Sequence, residues 1–305
     1  MTLVSESGID PEAARLRDRL RWRLVAAAAT PLAGDRTLDP TVLHRYLSGL
    51  VADRAGGLAV LAHTGRGPFL DRPTRETVIA AAVGTGLPVI VGAAGPEDAE
   101  TAARLGADGL LVFAPPPGEG GRSDPLAAHD AIWRAGGLPM IAFDLYTNPY
   151  PAALLPDLLA HPGIAGLKVA RLDDAIACQA GIAACTAAGR LAITGEDRMF
   201  GASLLWGAQA ALVGIAAAAV PATAAVLQAF AQGRYPEFVA GSARLDRFAA
   251  ATFAQPVDGY VQRMLWIAEA EGRIPADFAT DHFGPGLPDD ERERTLRALT
   301  EVTGR

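Results

Sequence analysis

Apolar residues recur along this chain in short blocks separated by longer mixed stretches. The blocks are Leu24–Ala29, Leu58–Ala62, Val89–Ala93, Gly109–Ala114, Met140–Leu145, Ile164–Ala170, Leu191–Thr194 and Ala211–Ala216. Each is too short for a buried helix and apolar at successive positions, as expected of strands covered on both faces. Between them, Asp39–Asp53, Arg72–Thr85, Pro96–Leu105, Pro125–Ala135 and Asp173–Ala188 carry helical spacing, and a further helix is predicted over Pro11 to Leu20. Successive blocks begin roughly 20 to 35 residues apart, the size of a βα unit. Eight such units predict an α/β fold of the (β/α)8 TIM-barrel type. A doubly wound sheet would not need eight units, and no Gly-rich dinucleotide turn follows the first strand. Past Pro221 the strand pattern stops. Thr223–Gln232, Phe238–Ala254, Val257–Gly272 and Asp289–Thr303 read as helices, punctuated by Gly233, by Gly272-Arg273-Ile274-Pro275 and by Gly284-Pro285-Gly286. The expected division is therefore 1–222 for the barrel with its short N-terminal helix, and 223–305 for a C-terminal helical extension.

Composition narrows the function classes. A net charge of −7 argues against nucleic acid as a main partner. Arg15, Arg17, Arg19, Arg21 and Arg23 alternate, so their charges scatter around a helix as a solvated face. The run after them, Leu24–Ala29, mimics a signal peptide but is short and follows acidic Glu6, Asp10 and Glu12. Leu212–Phe230 is mostly alanine and broken by Pro221, a poor membrane span. Cys178 and Cys185 stand two helical turns apart, too far for an unstrained disulfide. They read as buried small residues, and a cytoplasmic protein is expected.

One residue stands out. Of 27 Lys and Arg side chains, Lys168 alone is lysine, and it sits inside the apolar run Ile164-Ala165-Gly166-Leu167-Lys168-Val169-Ala170. Arginine serves every other cationic position. A buried lysine can lose its proton and become a nucleophilic amine, whereas arginine cannot. The chemistry that needs such an amine is a Schiff base with a carbonyl substrate. The plainer alternative is a strand-end lysine paired with Asp173 or Asp174.

In a barrel of this kind chemistry sits at the C-terminal ends of the strands. There the chain carries Thr30-Pro31, His63-Thr64-Gly65-Arg66-Gly67, Phe143-Asp144-Leu145-Tyr146, Lys168, Gly195-Glu196-Asp197 and Val213-Gly214-Ile215. Thr64 offers a hydroxyl, and backbone amides exposed by Gly65 suit a carboxylate. A 2-oxo acid held there would present its ketone to Lys168. Tyr146 is the candidate phenol for moving protons, with His63 as a helper. The remaining histidines, His44, His129, His161 and His282, read as surface or loop residues.

The order Thr-Pro, Thr-Gly, Gly106-Ala107-Asp108, Gly166-Leu167-Lys168 and Gly195-x-Asp197, with Arg273-x-Pro275 near the end, resembles the dihydrodipicolinate synthase / N-acetylneuraminate lyase family. The resemblance spans roughly Leu24 to Pro275. It implies a barrel with a helical C-terminal domain, Schiff-base chemistry on pyruvate or related 2-oxo acids, no metal or other cofactor, and a homo-oligomer, tetramer or dimer. It assigns Lys168 to the Schiff base, Thr64 and Gly65 to the substrate carboxylate, and Gly195 and Asp197 to the loop that touches the distal part of sugar-acid substrates. Val213 and Gly214 fall where backbone groups line the pocket.

The departures are specific. The family's first loop hydroxyl is His63 here, and its glutamate is Arg66. Its Pro-Tyr-Tyr is Pro115-Pro116-Pro117, so the tyrosine that a neighbouring subunit often lends is missing. Its strand-5 tyrosine aligns with Phe143, and Tyr146 comes three residues later. The arginine for a second carboxylate has no counterpart. The expectation is an aldolase or dehydratase for a 2-oxo acid other than the dihydrodipicolinate synthase substrate pair, with Glu196 and Asp197 reading the variable end. Two other readings stay open: a non-catalytic member that binds a 2-oxo acid, and a metal-dependent aldolase using Asp144, Glu196 and Asp197.

Overall fold

A computed structural model describes residues 8–116 and 124–304; Pro117 of the triple-proline run lies outside them. The elements run α1 (Pro11–Leu20), β1 (Leu24–Ala27), α2 (Pro40–Ala52), β2 (Gly57–Val60), α3 (Arg72–Val83), β3 (Val89–Ala93), α4 (Pro96–Arg104), β4 (Gly109–Phe113), α5 (Pro125–Gly136) and β5 (Met140–Leu145). They continue with α6 (Leu155–Ala160), β6 (Ile164–Ala170), α7 (Ala175–Ala187), β7 (Leu191–Thr194), α8 (Phe200–Leu205), β8 (Ala210–Val213) and α9 (Val220–Ala231). The extension adds α10 (Tyr235–Thr252), α11 (Tyr260–Ala270) and α12 (Glu291–Thr303). The eight strands are parallel and close in chain order into a barrel, which is the (β/α)8 architecture with C-terminal helices. The expected division at residue 222 falls inside α9.

Local sequence explains the helix starts. Asp10, Asp39, Asp71, Asp124 and Asp174 each cap a helix by accepting backbone N–H bonds, and in the first four a proline occupies the first turn. Such a cap contributes about 1 kcal/mol, and proline there loses no helical hydrogen bond. Two helices went unread, α6 and α8. Each has six residues, too few for a helical period to declare itself.

The core has two layers. The outer faces of the strands pack against the helices, while Val25, Ala27, Ala59, Ile90, Leu111, Ile141, Phe143 and Leu212 fill the barrel interior. Ala13, Leu16 and Leu20 of α1 join that interior set, and the Asp10 N–H donates to the Pro162 carbonyl just ahead of β6. Helix α1 therefore closes the N-terminal end of the barrel and leaves the other end open for chemistry.

Strand β6 holds the feature that matters most. Met140 pairs with Ile164, but Ile141 pairs with Gly166, so Ala165 is an extra residue in a β-bulge. Ile164, Leu167 and Val169 face the helices, while Ala165 and Ala170 face the interior. Strict alternation from Ala165 would have turned Lys168 outward. The bulge resets the alternation and aims Lys168 into the barrel, in register with Phe143 and Ile193.

β8 is shorter than expected. It ends at Val213, and Gly214–Ala217 form a 3-10 turn. His129 is a correction. It is fully buried on α5, with Nδ1 2.7 Å from the Pro125 carbonyl and Nε2 3.1 Å from the Tyr150 hydroxyl. A helical position facing the sheet, not a loop, accounts for it. The two cysteines are free and buried. No helix among the described residues is long and apolar enough to cross a membrane.

Candidate active site

At the open end, His63, Thr64, Phe143, Tyr146, Lys168, Gly195, Asp197 and Gly214 surround one narrow cavity of about 30 Å³. Lys168 is buried, with its nitrogen 3.9 Å from the centre of the Phe143 ring. Burial pulls its pKa down from 10.5 to about 8, against the opposing attraction of Asp197 and Glu196. Asp173 and Asp174 are not its partners; Asp174 caps α7. Gly195 makes room for the lysine. A Cβ there would lie 2.7 Å from Lys168 Cε and 2.8 Å from the Val169 carbonyl oxygen.

Asp197 accepts the Ile215 N–H at 2.7 Å, and burial pushes its carboxyl up to about 7. Glu196 behaves differently from its neighbour. It is fully buried and does not line the cavity, and its Oε1 accepts the Arg171 N–H. Its carboxylate pins the backbone after β6, where Leu172 adopts φ 57°. The Val213 side chain packs in the outer layer against the helices. Gly214, the next residue, lines the cavity. Gly65 lies behind Thr64: its carbonyl accepts the Thr30 hydroxyl at 2.8 Å, and a Cβ would meet the Leu61 nitrogen at 2.8 Å.

Three carboxylates considered as metal ligands have separate partners. Asp144 accepts the Tyr150 N–H and faces Arg171, Glu196 holds backbone, and Asp197 holds Ile215. No group of three His, Cys, Asp or Glu residues gathers in metal-binding geometry among the described residues.

Tyr260 went unread in the sequence. It opens α11, yet its hydroxyl reaches back to the barrel mouth, 2.9 Å from Thr64 Oγ1 and 3.3 Å from His63 Nδ1. Its ring stacks on Phe253 with centroids 4.6 Å apart. Asp258 Oδ1 lies 3.4 Å from His63 Nε2 and accepts the Tyr146 hydroxyl at 3.2 Å. The His63 contact leads the effects that hold the Asp258 carboxyl down at about 2. Nothing in α11 alone signals this role; only the long-range packing brings Tyr260 to Thr64.

Arg66, in the position of the family's glutamate, fastens the extension to the mouth. It is buried, pairs with Asp281 at 2.7 Å and donates to the Asp258 carbonyl at 3.1 Å. Phe69 stacks on Phe283 beside it. A larger cavity of about 690 Å³ between α9, α10 and Arg273 contains none of these strand-end residues.

Comparison with known proteins places the chain in a family. No family model matches the chain. A 4-hydroxy-tetrahydrodipicolinate synthase of Xanthomonas axonopodis pv. citri is 32% identical over 218 residues, 65% of this chain and 69% of that protein. The chain belongs to the dihydrodipicolinate synthase / N-acetylneuraminate lyase family. It is an enzyme of that family's class I aldolase type. Solved structures extend the likeness of fold. Dihydrodipicolinate synthase from Oceanobacillus iheyensis superposes with a TM-score of 0.83 at 16% identity, covering 96% of this chain and all (100%) of that one. N-acetylneuraminate lyase from Mycoplasma synoviae gives a TM-score of 0.77 at 16% identity, covering 93% of this chain and 98% of that one.

Proposed function

We propose that this family member is a Schiff-base-forming lyase, an aldolase or dehydratase, that acts on pyruvate or a related 2-oxo acid through Lys168. The observation that carries the reading is the sole lysine of the chain, turned inward by the β6 bulge and buried beside an aromatic ring at the reactive end of the barrel. A lowered pKa keeps a useful fraction of the amine neutral near pH 7. The neutral amine attacks the ketone carbon of the substrate, and the resulting carbinolamine loses its hydroxyl as water to give an iminium ion. That cation draws electrons from the neighbouring carbon, so a C–C bond can break or form there, or a β-hydroxyl can leave. The backbone N–H groups at Thr64 and Gly65 hold the substrate carboxylate in this reading.

The wall beyond the amine is formed by Leu145, Ala170, Leu172, Phe253 and Val257. Among the described residues no arginine lines it, which supports a substrate without a second carboxylate. The test is reductive trapping. The protein is incubated with pyruvate and then sodium borohydride, and the intact mass is read. A stable adduct that is absent in Lys168→Ala and Lys168→Arg supports the proposal. Equal adduct formation by Lys168→Ala, or none by the parent protein, overturns it.

A further inference from the structure

The Schiff-base chemistry needs an acid to expel the carbinolamine hydroxyl and a base to take a proton from the adjacent carbon. Phe143 occupies the strand-5 position beside the amine and can do neither. Tyr146 has a phenol, but its partner is the Asp258 carboxylate at 3.2 Å and not Thr64. Tyr260 borders the same cavity as Lys168 and bonds to Thr64, the proposed carboxylate anchor.

Resting on the Schiff-base reading, we infer that Tyr260, supplied by the helical extension of the same chain, is the acid–base residue of this site, held in place by His63 and Asp258. Three features build it into position. Gly214 leaves the space its ring occupies, since a Cβ there would come within 2.7 Å of Tyr260 Cε2 and 3.2 Å of Phe253 Cζ. Phe253 stacks nearly parallel on the ring, at 15°. The contact between His63 Nε2 and Asp258 favours the tautomer with hydrogen on Nε2. His63 Nδ1 then accepts the Tyr260 hydroxyl, and Tyr260 in turn accepts from Thr64. Arg66 anchors this arrangement by holding the Asp258 carbonyl. His63 and Asp258 are positioning residues; Tyr260 is the group that meets the reacting atoms.

The steps balance. In dehydration the phenol proton goes to the carbinolamine hydroxyl, the C–O bond breaks, the nitrogen lone pair closes the C=N bond, and water leaves. The phenolate then takes a proton from the carbon next to the iminium, which gives the enamine and restores the phenol. Burial pushes the phenol pKa above its ordinary value, so the group rests protonated and ready for the first step.

The test follows deuterium uptake into the methyl group of pyruvate in D2O by NMR, beside borohydride trapping. General acid–base catalysis contributes on the order of 10²-fold or more. Tyr260→Phe is expected to slow uptake by at least about 10²-fold while still giving the lysine adduct on long incubation, and to slow it at least about 10-fold more than Tyr146→Phe does. Adduct formation by Tyr260→Phe also shows that the variant is folded. Asp258→Asn is expected to slow uptake more than it weakens pyruvate binding, a kcat effect that simple loss of packing would not single out. Uptake by Tyr260→Phe at the parental rate, or its loss in Tyr146→Phe alone, overturns the assignment and leaves the Schiff base standing. Failure of the parent protein to form an adduct overturns both.

Discussion

Lys168 and Phe143 face each other across neighbouring strands, the amine nitrogen 3.9 Å from the ring centre. The ring face attracts a cation, but the narrow cavity leaves an ammonium little water, and burial leads the lowering of its pKa to about 8. The neutral amine attacks, so the initial trapping rate is expected to rise about tenfold per pH unit on the acid side and level off above about 8. A lysine at the ordinary 10.5 would keep accelerating well past that point. Asp197 and Glu196 oppose the shift by favouring the charged form. Asp197→Asn removes one of these anions and is expected to move the midpoint lower. A pH profile of borohydride trapping checks both statements, and a rise continuing unbroken to pH 10 would contradict them.

Gly195 is the floor under the lysine. With Lys168 Cε 2.7 Å and a backbone oxygen 2.8 Å from where a Cβ would stand, Gly195→Ala forces the side chain or the β6 backbone to move. Displacement by about 1 Å at a reacting group costs on the order of 10²-fold in rate. Gly195→Ala is therefore expected to cut the trapping rate by about that factor while circular dichroism stays barrel-like. Parental trapping would show that the lysine reaches its substrate by another path.

Much of this was legible in the chain, and what was not has physical causes. Eight apolar blocks announced eight strands because a parallel barrel buries both strand faces. Lys168 was conspicuous as the sole lysine, yet alternation alone would have aimed it wrongly. The bulge at Ala165 is a pairing property, set by what β5 and β6 do together. Glu196 and Asp197 are adjacent and chemically alike, and only packing separates Glu196, turned to the backbone after β6, from Asp197, which lines the cavity with the amine. Tyr260 lay furthest from reach: it sits 196 positions from Thr64 along the chain, and an aromatic at a helix start is ordinarily core.

Stability should depend on a buried ion pair in the extension. Arg263 is fully buried; its Nε donates to Glu291 at 2.6 Å, and its Nη1 donates to the carbonyls of Thr252 and Ala254. It thereby ties α12 to the end of α10, just ahead of Asp258 and Tyr260. Removing one partner leaves the other charge buried and uncompensated, at a cost of about 3–5 kcal/mol. Glu291→Ala is expected to lower the urea midpoint accordingly, with an unchanged slope if unfolding stays two-state. A change below about 1 kcal/mol would mean that entering water and the Thr252 and Ala254 carbonyls suffice to solvate the Arg263 charge.

The last prediction concerns two phenols and one site. Phe143 stands in register with Lys168 on the adjoining strand, so a hydroxyl added to its ring would enter the cavity near the amine. Tyr260 reaches the same cavity from the extension. If proton transfer needs one phenol at this spot and not a particular backbone position, Phe143→Tyr is expected to restore deuterium uptake to the slowed Tyr260→Phe protein, at least about 10-fold toward the parent, with the rest lost to imperfect orientation. Phe143→Tyr alone should gain little, because the site would already hold one acid–base group, and crowding of the narrow cavity, about 30 Å³, would slow substrate entry. The comparison is made as a double-mutant cycle, where coupling between the two positions is the quantity read. Additive effects, with no recovery in the double variant, would show that a phenol on β5 cannot stand in for the Tyr260 hydroxyl, whose place beside Thr64 and His63 is then what matters.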